Sequence, residues 1–319
     1  MNCNSFVSQR SSARIRRRAD QSVNLRSIVA SSAFALCLGV GAAHASAYDT
    51  AVESYDPLAY FNFANATATQ TTSAVNGYTL NLENGAAVVA GAGPQINQAA
   101  TPGLVLSNGA SGTEYATSGA GGLMGGVSTS GTILASIDLA SLPSTNGRVY
   151  SIAGESADGD DLDLQINPDN SIDFYTNGGG SATTAPLTSS QLGQYLSIAA
   201  TFTSGGLADV YIDGSLAATA GAGNRYDSGS PFYIGQSNVF GGRYFDGSIG
   251  DVAIFNTALS SSKIAGLYAT SQLPSVPVSG VPEPGVWVMM LGGFAILGAM
   301  LRMGHALRRE RQVSGIATA

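Results

Sequence analysis

The sequence predicts an all-β protein, a sandwich of two antiparallel sheets. Three observations point there. Short apolar-polar alternations recur from residue 56 onward, as in YTLNL, GLVLS, TILASIDL, DLDLQI and SIDFYT. They are separated by turn pairs at Asn76-Gly77, Asn84-Gly85, Asn108-Gly109, Asn146-Gly147 and Asn177-Gly178, which tolerate the positive φ angles of tight hairpins. No helical periodicity alternates with the strands, so a sandwich is favoured over a βα fold.

The ends of the chain differ from its middle. Residues 1–27 carry six arginines and lead into the apolar run 28–43 and the small-residue exit Ala43-His44-Ala45. A basic start, a short apolar core and a small-residue exit define a secretory signal peptide. It is assigned to residues 1–47, with cleavage after Ala45 or Ala47. The middle, 48–273, is long enough for one sandwich domain. Residues 274–285 form a proline-rich linker, 286–301 are continuously apolar, and 302–319 contain a basic cluster. That order predicts a C-terminal transmembrane helix followed by a basic cytoplasmic tail.

Both cysteines, both histidines and the single tryptophan lie outside residues 48–280. The middle therefore has no disulfide, and it cannot build a Ser-His-Asp triad, a Cys-His pair or an ordinary zinc site. It carries four basic residues, Arg148, Arg225, Arg243 and Lys263, against 18 acidic ones, a net charge of −14. Nucleic acid and anionic lipid surfaces are poor partners for such a domain.

Strand by strand, Leu196, Ile198, Ala200 and Phe202 alternate with smaller or polar neighbours, and Val210 and Ile212 do the same before Asp213-Gly214. That pair predicts a hairpin into a strand from Ser215 to Ala220. Ile249 falls out of phase with Val252 and Ile254, which places a bulge at Gly250. Three serines after Leu259 offer a helix cap, and Ile264, Leu267 and Tyr268 recur at helical spacing. The glycine-rich run 119–126 is read as a loop, because neither a strand-loop-helix context nor a following lysine makes it a phosphate cradle.

The elements VYIDGSLAA (210–218), YIGQS (233–237), FDGSIGDVAIFNTALS (245–260) and KIAGLY (263–268), in that order, resemble the second half of a laminin G-like domain. The resemblance implies a concanavalin A-like jelly-roll sandwich and, because many tasks share that fold, little about activity. Tyr195 stands where the family often has Trp, Gly250 where Asp is common and Lys263 where Glu is common, so no family metal site carries over. At the C-terminus, Val281-Pro282-Glu283-Pro284, the apolar run and the arginine-rich tail resemble the PEP-CTERM sorting signal of Gram-negative bacteria. That resemblance implies an exosortase-type protease as partner, an inner-membrane stage before processing, and delivery to the cell surface or extracellular matrix.

Several residues are candidates for chemistry. Asp158, Asp160 and Asp161, in an acidic loop with glycine, offer hard oxygen ligands that suit calcium, although a solvated acidic hairpin fits the same pattern. Asn224, Tyr226, Asn238 and Tyr244 offer amides and aromatic faces for a sugar; the alternative is that the tyrosines cover sheet edges. Paired carboxylates for glycoside hydrolysis need to share a face, as Asp161 and Asp163 would on one strand, or Glu155 and Asp173 if strands bring them together. The glutamate-rich motif of glucanases with this fold is absent. The sequence thus leads to the expectation of a non-catalytic surface or matrix module that binds carbohydrate or exopolysaccharide, and not an enzyme. A structural or adhesive protein with protein partners is the first alternative, and a diverged glycoside hydrolase the second.

Overall fold

The computed structural model describes residues 46–273 except 98, 108–111, 120–121, 124–128, 156–161, 179, 225–229 and 238–241, together with Gly293, Phe294 and Arg302. The chain divides into two compact units, residues 1–43 with 279–319, and residues 44–278. The fold described below is the second unit. The apolar run 286–301 falls almost wholly outside the described residues, so the predicted transmembrane helix has no structural support. Among the described residues no helix is long and apolar enough to cross a membrane.

The elements begin with α1 (Ala47–Glu53), β1 (Ala59–Phe61), β2 (Gln70–Thr72), β3 (Thr79–Glu83), β4 (Ala87–Val89), β5 (Gln95–Ile96) and β6 (Ala99–Ala100). There follow β7 (Gly103–Ser107), β8 (Tyr115–Thr117), β9 (Ser130–Leu139), β10 (Tyr150–Glu155), β11 (Leu162–Ile166), β12 (Ser171–Thr176) and β13 (Ser181–Pro186). The chain then runs through β14 (Leu196–Thr203), β15 (Leu207–Ile212), β16 (Ser215–Gly221), β17 (Phe232–Ile234), β18 (Asp246–Phe255) and α2 (Ser261–Gln272). Sheet A has the order β16-β15-β14-β9-β18-β7-β4 with β1 also on β18, and sheet B the order β13-β12-β11-β10-β17-β8-β3-β2. All pairings are antiparallel. The β5–β6 hairpin stands apart as a two-stranded ribbon. An all-β jelly-roll sandwich is thus what the chain builds.

The hairpin at Asp213-Gly214 forms with φ of 49° and 76°, the handedness that lets two strands reverse without splaying. The bulge in β18 also forms, its register against β9 slipping between Gly250 and Ala253. Ser260 caps α2 by accepting from the Lys263 amide. Between the sheets, alternate residues of every long strand form one core that includes Leu104, Ile133, Leu164, Phe174, Phe202, Phe232 and Ile254. A second core lies outside sheet A, where Val52 of α1 and Ile264 and Leu267 of α2 meet Leu134, Ala199 and Phe255.

The helix α1 is fixed by a buried polar contact. Ser46 caps it, its hydroxyl accepting from the Asp49 amide while its own amide donates to the Asp49 carboxylate at 2.9 Å. The Tyr60 hydroxyl lies 2.6 Å from Asp49 Oδ1 and 2.9 Å from Asp251 Oδ1. One phenolic proton cannot serve two ionised carboxylates, so a second proton must be present. Burial pushes the Asp251 carboxyl up to about 8, against the lowering effect of Tyr60, and Asp49 adds to the rise. Asp251 therefore holds that proton at neutral pH.

Candidate functional site

The face of sheet B that points away from the core is polar across its whole width. Cross-strand register sets Gln70, Asn81, Thr117, Tyr233, Gly154, Asp163, Tyr175 and Ser181 in one continuous row over eight strands. The next row holds Ser151, Gln165, Asp173 and Thr183. Because successive side chains alternate faces, their neighbours Leu164, Phe174, Ala153 and Ile234 all enter the core. Sequence patterning of the form Asp163-Leu164-Gln165 is the local cause.

At the centre of this face two carboxylates are held in a hydrogen-bonded array. The Ser151 hydroxyl donates to Asp163 Oδ1 at 2.8 Å, and Arg243 Nη1 stands 3.6 Å from Asp163 Oδ2. The same guanidinium donates to Gln165 Oε1 at 2.8 Å, and Gln165 Nε2 donates to Asp173 Oδ2 at 3.3 Å. Thr183 completes the array, its hydroxyl donating to Asp173 Oδ1 at 2.6 Å. Asp163 and Asp173 are each 4 % exposed, and such burial of carboxylates is sustained only with partners of this kind. Gly154 lets the strands approach closely beside them: a Cβ there would strike the Leu162 carbonyl oxygen.

Aromatic side chains share this face. Tyr115 and Tyr233 stand with ring centroids 5.8 Å apart. Burial raises the Tyr115 hydroxyl above its ordinary value, with smaller contributions from Glu83, Tyr233 and Tyr244, so Tyr244 lies close to this pair. Tyr175 sits beside Asp163 in the row.

Of the sugar-binding residues expected from sequence, Tyr244 adds to the rise of the Tyr115 hydroxyl, whereas Asn224 is placed at the Gly205 turn between β14 and β15 of sheet A. Tyr226 and Asn238 lie outside the described residues, as do the calcium candidates Asp158, Asp160 and Asp161 and the sorting residues Val281, Pro282, Glu283 and Pro284. Among the described residues no group of three or more acidic, histidine or cysteine side chains could hold a metal. The expected approach of Glu155 to Asp173 does not occur: Glu155 pairs with Leu162 and takes the core-facing parity, while Asp173 takes the opposite one. Sequence reasoning missed Gln165, Arg243, Tyr115 and Tyr233. For Gln165 the signal is a polar residue at every second position of a strand whose other residues are apolar; Arg243 lies outside the strands and has no such signal.

Residues 109–265 match the family described as the concanavalin A-like lectin/glucanases superfamily. This segment is similar to that superfamily. No curated protein matches the chain. Among solved structures, the sialidase of Trypanosoma rangeli in complex with sialic acid is similar at 17 % identity and a TM-score of 0.49, over 68 % of this chain and 33 % of the sialidase. A mutant of that enzyme displaying trans-sialidase activity gives 17 % identity, a TM-score of 0.49, and 69 % and 33 % of the two chains. The binding domain of botulinum neurotoxin serotype D gives 16 %, 0.49, and 69 % and 52 %. The present chain thus spans about a third of the sialidase, and likeness at this identity speaks for the fold alone.

One expectation is corrected. The reading of a non-catalytic module, with enzymatic activity excluded, is withdrawn, because two carboxylates share one face of the sandwich. The physical reason is on the outer face of sheet B. Carboxylates alone suffice for glycosidic hydrolysis, and two of them share that face although no histidine or cysteine does.

Proposed function

We propose that the domain acts on a glycan as a diverged glycoside hydrolase. The observation that carries this reading is the Asp163–Gln165–Asp173 array on the face that also carries Tyr115 and Tyr233. Asp163 and Asp173 occupy diagonal positions on adjacent strands, a spacing of roughly 7–8 Å in an antiparallel sheet. Inverting glycosidases use carboxyl groups separated by roughly 6.5–9.5 Å, with a water between one of them and the sugar. One carboxyl group of the pair, with Asp163 facing Arg243, takes the proton of that water. The other gives a proton to the leaving glycosidic oxygen. The carbon–oxygen bond to the leaving sugar breaks as the bond to water oxygen forms, and the two carboxyl groups have then exchanged protonation states. Tyr115, Tyr233 and Tyr244 supply faces on which a sugar ring stacks. The net charge of −14 on residues 48–280 disfavours a polyanionic substrate.

A panel of chromogenic glycosides tests this reading, with Asp163→Asn and Asp173→Asn as controls. Turnover by the unaltered protein that both variants lose supports it. Turnover equal in all three, or none from folded protein, refutes it.

The proposal extends to the segments outside the described residues. Export through the signal peptide, processing of the 281–284 motif by an exosortase-type protease after membrane insertion of 286–301, and delivery to the envelope surface or matrix follow from their sequence. Intact mass of the protein recovered from cells tests each cleavage. Calcium at Asp158, Asp160 and Asp161 would tie down the loop that joins β10 to β11 next to Asp163; an unchanged melting temperature in EDTA would refute it.

A further inference from the structure

The outer face of sheet A holds a second polar recess, unrelated to the carboxylate array. The β5–β6 hairpin and α2 stand over the strands and leave a cleft of about 440 Å³. Cavities that take small molecules run from roughly 300 to 1,000 Å³. Its floor is polar where the core pattern predicts no need for it: Ser136 and Asp138 of β9 and Ser197 of β14, with Ser197 paired to Ser136. Gln272 and Tyr268 of α2 and Tyr195 form the walls.

The chemistry of this cleft has one sign. Asp138 Oδ1 is buried and has no hydrogen-bond partner among the described residues. No Lys, Arg or His occurs among the described lining residues. Burial, against a lowering hydrogen bond from Ser248, holds the Tyr195 hydroxyl up at about 12, and the charges of Asp138 and Asp251 both add to the rise. That hydroxyl donates to the Ala92 carbonyl, which ties the wall to the approach of the hairpin and keeps the cleft from collapsing. A carboxylate with a spare acceptor, uncharged amide and hydroxyl groups around it, and no cation nearby favour a positively charged ligand rich in N–H and O–H donors.

We propose that this cleft binds a small organic ammonium, of the size of an amino sugar, with Asp138 as its counter-ion. Calorimetric titration of the full-length protein with glucosamine, and with glucose as the neutral ligand of the same ring, tests it. Glucosamine is expected to bind at least about tenfold more tightly than glucose, and Asp138→Asn to erase that preference. Gln272→Arg, at an exposed position of the wall, is expected to weaken glucosamine by about tenfold while circular dichroism shows an unchanged fold. This second variant decides the matter should Asp138→Asn not fold. Equal affinity for the two sugars, no heat from either, or glucosamine binding that survives both substitutions in folded protein overturns the proposal. Asp173→Asn is expected to leave glucosamine affinity unchanged, so failure here and failure of the hydrolytic reading remain distinguishable.

Discussion

The two sheets carry their polar groups in opposite ways. On sheet B the outer carboxylates are balanced by a cation and by donors, in the sequence Ser151, Asp163, Arg243, Gln165, Asp173, Thr183. On sheet A the outer carboxyl group of Asp251 has no cation among its contacts with the described residues. It is covered by α1 and resolves its burial with a proton shared through Tyr60. One face therefore keeps its charges paired, while the other neutralises a charge and uses it to fasten a helix. Burial of an acidic residue is in itself no indicator of function; what neutralises it separates a site from a structural contact.

The comparison breaks first at Gly154. Gly154→Val would drive its Cβ into the Leu162 carbonyl and cost about 3 kcal/mol, read as a fall in denaturation midpoint. Arg243→Ala should cost about 2 kcal/mol, since it leaves Asp163 and Gln165 without the guanidinium they share. Arg243→Lys should recover only part, because one ammonium cannot reach both groups in the same geometry. No such dependence on a cation is expected at Asp251.

A pH series sharpens the contrast. Asp251 has its folded value raised from 3.8 to about 8, so the folded state keeps a proton that the unfolded chain loses above about pH 4. Its contribution to stability is present below that point and declines as pH rises to about 8. Asp251→Asn keeps the hydrogen bond to Tyr60 and suits the φ of 51° at this position. The variant should overtake the wild type at pH 8 by about 2 kcal/mol and show little advantage at pH 4, in paired denaturant titrations. The smallest effect is expected from Ser46→Ala, which removes the cap of α1 at about 1 kcal/mol. Loss of the same cap by cleavage after Ala47 in place of Ala45 should destabilise the domain similarly.

Legibility in the sequence followed how locally each feature is encoded. The stretch from β14 to α2 could be read because Asp213-Gly214, the phase slip at Gly250 and Ser260 each state their own conformation. Strands such as β2, β8 and β13 were not anticipated. Ser181–Pro186 has one buried alanine and one buried threonine among exposed residues, and it is a strand because β12 supplies its hydrogen bonds. α1 was missed because Ser46 and Asp49 straddle a segment read as a cleavage boundary. In the candidate site, Asp163 and Asp173 were visible singly, but their common face follows from register. The contact between Arg243 and Gln165 joins positions 78 residues apart, which no local pattern reveals.

The most direct test of the central claim follows product stereochemistry and rate together. Proton NMR of a cleaved glycoside should show inversion at the anomeric carbon, and Asp173→Asn should lower the rate by about 10²–10⁴-fold with the fold intact. A folded protein that cleaves nothing, or whose cleavage is indifferent to Asp173, would contradict the account.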